Sequence, residues 1–159
     1  MMSPQALESA KPLKGLTPQA QVTRVATFFE TLSPASLCHL GDYYTPNAYF
    51  KDPFNEVRGL AEIRAIFSHM YTALDQPRFV VTGRVVEGCQ CFLTWHFEFY
   101  FKRFDTTTLQ TVRGGSHLLF TTEGLIEHHR DYWDAAEELY EKLPCVGGLM
   151  RWLKKRANQ

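Results

Sequence analysis

A long strand with two bulky faces places the tightest limit on how this chain can fold. From Cys89 to about Phe104, large apolar side chains alternate with polar ones, which is the period-two pattern of a β-strand. Because a strand of this length rarely stays flat, we expect the sheet to bend or bulge. One face carries Leu93, Trp95, Phe97, Phe99 and Phe101, and the other carries Thr94, His96, Glu98, Tyr100 and Lys102.

Three more segments of strand character lie on either side of it. Arg78 to Val86 is rich in β-branched residues and leads into a tight turn at Glu87-Gly88, which predicts a hairpin. Leu109 to Thr121 and Leu125 to Trp133 complete the set. Four successive strands predict an antiparallel meander.

Two helices are predicted ahead of these strands. Thr17-Pro18 and Ser33-Pro34 each place an N-cap residue before a proline at the first helical position. The first helix carries apolar residues at helical spacing. The second is short and ends before Pro46, with its apolar residues at Leu37, Leu40 and Tyr44.

Further helices are predicted over Leu60 to Leu74 and from Asp134, where Glu137 completes a capping-box pattern. Helices segregated from an antiparallel sheet define an α+β fold. A curved antiparallel sheet with helices packed across its concave side forms a cone. We therefore expect an internal cavity.

One acid stands between a short strand and the third predicted helix. Asp52 follows the strand Tyr49 to Lys51 and precedes Pro53, which excludes the helical conformation at Asp52 and has no backbone donor. A carboxylate fixed in this way can act as a general base in a pocket. It can equally accept hydrogen bonds from the backbone amides of a turn. Both interpretations stay open at this point.

The densest polar and aromatic run lies at the end of the last predicted strand. Alternation puts His129, Asp131 and Trp133 on one face and His128, Arg130, Tyr132 and Asp134 on the other. The two histidines therefore cannot serve one site, and His129 with Asp131 is a candidate acid/base couple. Asp134 and Arg130 fit better as a helix cap and a surface ion-pair residue.

Composition limits the possible partners. The 159 residues, of which 45% are hydrophobic, suit one domain with a substantial core. Seventeen basic and seventeen acidic side chains balance, so no net field draws the chain to nucleic acid or to a membrane surface. We expect neither of these as a partner.

The termini and the cysteines indicate a location. Residues 1–16 hold no long apolar run, which fits a flexible leader and excludes a secretory signal or a spanning helix there. Residues 17–143 form the predicted domain, and residues 144–159 form a short basic amphipathic tail. The cysteines match no zinc or redox spacing, so we expect reduced, mostly buried thiols and a cytoplasmic protein. They are Cys38, Cys89, Cys91 and Cys145.

The element order and three local motifs resemble the nuclear transport factor 2-like superfamily, which includes ketosteroid isomerase and the SnoaL-like polyketide cyclases. The motifs are the aromatic and Asp-Pro run from Tyr44 to Pro53, Gly59 before the third helix, and Gly115 to Phe120 with Gly124 four residues on. The resemblance covers roughly Thr17 to Leu143. It implies the cone fold and a cavity for a small molecule.

The resemblance also implies roles for single residues. In the isomerase the aspartate of the Asp-Pro pair is the general base, which makes Asp52 the base here. The tyrosine and aspartic acid that hold the isomerase's oxyanion correspond by register to Phe28 and Ser116. Because a dienolate would lack its main stabilisation, we expect no efficient ketosteroid isomerisation. SnoaL-like cyclases place an acid where the last strand meets the final helix, the position of Asp131 or Asp134.

The apolar side chains on the concave face predict a pocket for a small apolar or aromatic molecule. We expect no cofactor, and no metal because His117 should face away from the cavity if Ser116 faces into it. The predicted lining residues are Phe28, Phe54, Trp95, Phe97, Ser116, Leu118, Phe120 and Trp133.

Two functions fit these features. The first is proton transfer of isomerase, cyclase or lyase type, with Asp52 as base and with His129 and Asp131 as an acid or orienting pair. The alternative is a non-catalytic domain that binds a ligand in its cavity or another protein on its sheet. We also expect a homodimer through the outer face of the sheet, which carries large, partly apolar groups. The outer-face residues are Thr94, His96, Glu98 and Tyr100.

Overall fold

The computed structural model describes residues 15–103 and 105–138, and in it helices pack against one six-stranded sheet. The predicted α+β class is confirmed. The helices are α1 (Pro18–Glu30), α2 (Leu60–Ala73) and α3 (Ala135–Glu138), with a 3-10 helix over Ala35–Asp42. The strands are β1 (Tyr44–Lys51), β2 (Glu56–Arg58), β3 (Leu74–Glu87), β4 (Gln90–Phe101), β5 (Gln110–Phe120) and β6 (Ile126–Tyr132).

The sheet combines the predicted meander with a parallel pair. Its strand order is β2-β1-β6-β5-β4-β3, and β3 to β6 pair antiparallel in succession. Strand β1 lies parallel to β6, with Phe50 opposite His129 and Lys51 opposite Arg130. This pairing, which the sequence did not predict, brings the ends of β1 and β6 side by side.

The second predicted helix is wrong at its C-terminal end. It is a 3-10 helix that ends at Asp42, and Tyr44 and Pro46 belong to β1 instead. Tyr44, Ala48 and Phe50 are all buried, so the true spacing is even and not helical. Pro46 is tolerated because the register of β1 against β6 is irregular between Tyr44 and Tyr49.

Strand β3 begins earlier than predicted and crosses Pro77. A proline fits here because β3 is an edge strand whose register shifts between Asp75 and Arg78. Gln76, with a φ of 48°, marks the irregularity. A second shift follows between Val81 and Gly83. Because bulges bend a strand and increase its twist, the sheet curves around the helices.

The helices begin as their sequences predict. Thr17 Oγ1 accepts a hydrogen bond from Ala20 N at 3.2 Å, and Pro18 is the first residue of α1. Gly59 precedes α2 with a φ of 103°, a conformation that favours glycine, and its N–H donates to the Ala48 carbonyl at 2.9 Å. The buried faces of α1, α2 and the sheet form one apolar core.

The ends of the chain lie largely outside the described residues. Of the predicted leader only Gly15 and Leu16 are described, and the predicted tail over residues 144–159 is not. Asp134 Oδ1 accepts from Glu137 N at 3.2 Å, as a helix cap does. Within residues 15–103 and 105–138, no helix is both long and apolar enough to cross a membrane.

Candidate active site

A cavity of about 690 Å³ lies between α2 and the concave face of the sheet. Its size and its apolar wall are typical of small-molecule sites. Among the described residues its carboxylates are Asp52, Glu62 and Asp131, and no lysine or arginine lines it. Eight of its twenty described lining residues are phenylalanine or tryptophan: Phe50, Phe54, Phe67, Phe79, Trp95, Phe97, Phe99 and Trp133.

Asp131 lies where this cavity meets a recess of about 20 Å³, which is room for one water molecule. Ser116 Oγ donates to Asp131 Oδ1 at 2.5 Å, and His129 Nε2 lies 2.8 Å from the same oxygen. Trp95 Nε1 in turn donates to Ser116 Oγ at 2.8 Å. The Asp131 side chain is only 14% exposed, so this network holds it in one orientation.

The second oxygen of Asp131 is free to meet a ligand. Both hydrogen bonds fall on Oδ1, and no group within residues 15–103 and 105–138 donates to Oδ2. In that part of the chain, Gln21 Nε2 is the one enclosed side-chain polar atom without a partner, so Oδ2 is not enclosed. Asp131 therefore presents one occupied and one accessible carboxylate oxygen.

Behind His129 lies Tyr44, which the sequence did not assign to the site. Its Oη lies 2.6 Å from His129 Nδ1, and the exposed fractions of Tyr44 and His129 are 1% and 3%. Burial, and then the negative charge of Asp131, raise the pKa of Tyr44, so its hydroxyl keeps its proton. The even spacing of Tyr44, Ala48 and Phe50 could have indicated a strand that buries all three. Pro46 obscured this pattern because proline usually ends an element.

Asp52 lies on the wall of the same cavity, but its carboxylate closes the turn between β1 and β2. Oδ1 accepts from Phe54 N at 2.7 Å and from Asn55 N at 2.6 Å. Asn55 Nδ2 lies 3.0 Å from Oδ1 and 2.9 Å from Oδ2. Lys51 of β1 lies opposite Arg130 of β6 in the register of the two parallel strands. Asp52 and Asp131 are the next residues along each chain segment, so they lie side by side. The fold thus places both predicted acids on one wall.

The other predicted lining residues divide into three groups. Ser116 lines the small recess. Phe28 packs in the core with its ring stacked on Tyr43 at a centroid distance of 3.9 Å, and Leu118 and Phe120 are also buried in the core. Those that line the large cavity are Phe54, Trp95, Phe97 and Trp133.

Trp95 depends on a glycine for its position. It pairs across the sheet with Gly114, and a Cβ built on Gly114 would lie 2.5 to 2.9 Å from atoms of the indole. The missing side chain therefore lets the indole lie against the β5 backbone and reach Ser116.

His128 lies on the opposite side of the sheet from His129. Its ring stacks on Tyr49 at 4.8 Å, and His117 lies beside it with Nε2 2.9 Å from Gln90 Oε1. Burial, followed by the nearby charge of His117, lowers the pKa of His128. The two histidines of the run are thus separated by the sheet, as alternation predicts.

Residues 25–129, more than half of the chain, match the family of the SnoaL-like domain. The chain belongs to this SnoaL-like family. The matched stretch includes Asp52, Ser116 and His129 and ends two residues before Asp131. No curated protein sequence matches the chain.

Solved structures share the fold of this SnoaL-like domain. A protein with a ketosteroid isomerase-like fold from Catenulispora acidiphila DSM 44928, in complex with trimethylamine, has a TM-score of 0.64 at 15% identity, covering 77% of this chain and 92% of that one. A proposed SnoaL-like polyketide cyclase from Jannaschia sp. CCS1 has a TM-score of 0.62 at 16% identity, covering 74% and 87%. AclR, a proposed hydroxylase from Streptomyces galilaeus, has a TM-score of 0.62 at 16% identity, covering 80% and 97%. These likenesses show the fold.

Proposed function

We propose that this SnoaL-like domain binds a small apolar or aromatic molecule in its cavity and moves a proton on it without a metal. The reaction would be of isomerase, cyclase or lyase type. The observation that carries the proposal is the Asp131 carboxylate, whose Oδ1 is held by two hydrogen bonds while Oδ2 has no donor among the described residues. A carboxylate oriented in this way at an apolar cavity is suited to act as a general base and then as the acid.

The geometry favours Asp131 over Asp52 for this role. The Asp52 carboxylate accepts from two backbone amides and from Asn55 Nδ2 in its turn. Both oxygens of Asp52 therefore already accept a hydrogen bond, whereas Asp131 Oδ2 accepts none from the described residues. We therefore propose Asp131 as the base, His129 as its orienting partner, and Asp52 as a wall residue that shapes the opening.

The charge of the lining narrows the ligand class. Asp52, Glu62 and Asp131 would repel an anion, and no described lysine or arginine of the lining would compensate for that repulsion. An uncharged or cationic apolar molecule is therefore expected. The trimethylamine in the Catenulispora acidiphila structure is a small amine, which agrees with this class.

A test of the proposal needs binding and proton transfer to be measured separately. Fluorescence of Trp95 and Trp133, both in the cavity wall, reports binding of an aromatic cyclic ketone such as 2-tetralone. Mass spectrometry in D2O then reports exchange of the ketone's α-hydrogens. We expect slow exchange, because Phe28 and Ser116 stand at the two positions that would stabilise an enolate oxygen. Asp131→Asn should reduce it further by about 100-fold or more, since positioned acid/base groups typically contribute that much.

The control for this experiment is Glu127→Gln, which neutralises an exposed acid of β6 that does not line the cavity. We expect it to exchange at the wild-type rate. Exchange that survives Asp131→Asn would contradict the assignment of the base. Binding without exchange across a panel of ketones would support the alternative, a non-catalytic ligand-binding domain.

We propose that the protein is a cytoplasmic homodimer that pairs through the outer face of the sheet. Two aromatic side chains of that face are open to solvent, Phe92 at 37% and Tyr132 at 45%. Exposed aromatic groups on a sheet are commonly covered by a second subunit. Light scattering at micromolar concentration tests this, and a monomer would contradict it. Cys38, Cys89 and Cys91 are free thiols, which agrees with a reducing compartment. Of these three only Cys91 is buried, so the expectation of mostly buried thiols is wrong for them.

A further inference from the structure

The hydroxyl of Tyr44 takes no part in the proposed reaction, yet it lies in the core within 2.6 Å of His129 Nδ1. We infer that Tyr44 is a positioning residue: it holds His129 as a neutral imidazole with its proton on Nε2, so that Asp131 exchanges its own proton at Oδ2 alone. This inference rests on the proposed function for the role of Oδ2. The tautomer of His129 is a property of the protein and can be measured without a substrate.

The first step is the placement of the Tyr44 proton. The hydroxyl stays protonated, and its only hydrogen-bond partner within residues 15–103 and 105–138 is His129 Nδ1. If Nδ1 carried a proton, two hydrogens would compete for one contact and the Tyr44 hydrogen would be buried without an acceptor. An unsatisfied buried donor is costly, so Nδ1 must accept and must therefore be unprotonated.

The second step is the placement of the imidazole proton. Nε2 lies 2.8 Å from Asp131 Oδ1, and this distance is favourable only if one of the two atoms carries a proton. Because Nδ1 is unprotonated, a neutral ring carries its proton on Nε2 and donates it to Asp131. The chain of donors then runs without conflict from Tyr44 through His129 to Asp131.

The surroundings of His129 leave the ring no other arrangement. Phe29 from α1 and Phe50 from β1 meet it edge-on at centroid distances of 5.5 and 4.8 Å. The titratable groups that face it are Tyr44 and Asp131, and His128 lies on the opposite side of the sheet. Aromatic rings offer no acceptor of comparable strength, so a flipped ring would lose both of its hydrogen bonds.

The consequence concerns where the proton of the reaction resides. Oδ1 of Asp131 accepts from His129 and from Ser116 whether or not Oδ2 is protonated. Asp131 can therefore take a proton at Oδ2 and return it without any rearrangement of the network. His129 orients the carboxylate and is not itself the acid, and no proton passes through the ring to Tyr44.

Nuclear magnetic resonance of the 15N-labelled protein tests this directly. Long-range correlations between ring hydrogens and ring nitrogens distinguish the two neutral tautomers and the imidazolium of each histidine. The variant His129→Gln assigns the signals. We expect a pyridine-like Nδ1 and a pyrrole-like Nε2 for His129 at neutral pH. An imidazolium, or a neutral ring with its proton on Nδ1, would overturn the inference.

The variant Tyr44→Phe tests the role of the hydroxyl and keeps the ring. Loss of the bond to Nδ1 should shift the Nδ1 resonance of His129 toward that of an unbonded pyridine-like nitrogen, whereas the Nε2 resonance should stay, because Nε2 keeps its bond to Asp131. The matched control is Tyr43→Phe, which removes the hydroxyl of the neighbouring tyrosine, whose ring stacks on Phe28. An Nδ1 resonance unchanged in Tyr44→Phe, or shifted equally in Tyr43→Phe, would show that the Tyr44 hydroxyl does not hold the tautomer.

A measurement on the wild-type protein tests the inference even if a variant fails to fold. Scalar coupling across the hydrogen bond between the Tyr44 hydroxyl hydrogen and His129 Nδ1 requires that the tyrosine donates. Its detection supports the inference, and a hydrogen covalently bound to Nδ1 refutes it. Because no ligand is involved, this result is independent of whether the ketone exchange experiment succeeds.

Discussion

The turn at Asp52 allows a quantitative test of whether this acid is structural. Its carboxylate accepts four hydrogen bonds: from Phe54 N, from Asn55 N, and two from Asn55 Nδ2. Asp52→Ala removes all of them, whereas Asp52→Asn keeps a side-chain oxygen that can accept from the two backbone amides. The two variants should therefore differ in stability.

The expected size follows from the number and the setting of these bonds. The four bonds are exposed or only partly buried, so water can replace them in the variant, and each contributes about 0.5 kcal/mol, the lower end of the range for an ordinary hydrogen bond. We expect Asp52→Ala to lower the free energy of unfolding by about 2 kcal/mol. For a chain of this length that corresponds to a decrease in Tm of roughly 4 to 8 °C. Asp52→Asn should cost about 0.5 to 1 kcal/mol.

Urea unfolding followed by circular dichroism measures both values. Asp105→Ala is a matched control, because Asp105 accepts from Thr107 N at 3.2 Å and Thr108 N at 3.0 Å in an exposed loop away from the cavity. We expect it to cost less than Asp52→Ala. If Asp52→Ala were as stable as the wild type, the structural role would be refuted. If Asp52→Asn kept full stability but lost ketone exchange, Asp52 would be the base instead of Asp131.

Three further predictions concern other parts of the fold. Gly114→Ala should destabilise the protein by about 1 to 3 kcal/mol in urea unfolding, because its methyl group would overlap the Trp95 indole. Hydrogen bonds in its loop, chiefly from Thr108, lower the pKa of Asp105, so its stabilising effect is present above the ordinary carboxyl pKa. This stabilisation should be lost as the pH falls through the lowered pKa of Asp105. Thermal unfolding from pH 2 to 6 should therefore show a loss of Tm in the wild type that is smaller in Asp105→Asn. Burial raises the pKa of Cys91 to about 12, so peptide mapping after thiol labelling at pH 8 should find it modified only in unfolded protein.

The sequence predicted those parts of the fold that depend on short-range pattern. Alternation along β4 separated the cavity face, with Trp95 and Phe97, from the outer face, and the meander followed from the turns between apolar runs. The same alternation put His129 and Asp131 on one face and His128 on the other. These features repeat every two residues and are bounded by local turn signals, so they can be recognised without knowledge of distant contacts.

What the sequence missed depends on contacts between distant residues. Tyr44 and His129 are 85 positions apart and meet because β1 pairs in parallel with β6, whereas the even spacing of Tyr44 was hidden by Pro46. The sequence around Asp52 fits both a general base and a turn residue. The positions of Phe54 N and Asn55 N show that its carboxylate accepts the hydrogen bonds of a turn. Local pattern determined which side chains of β4 and β6 share a face. The tertiary structure alone decided which of them touch, because hydrogen bonds require atoms within about 3 Å and sequence spacing sets no such distance across a sheet.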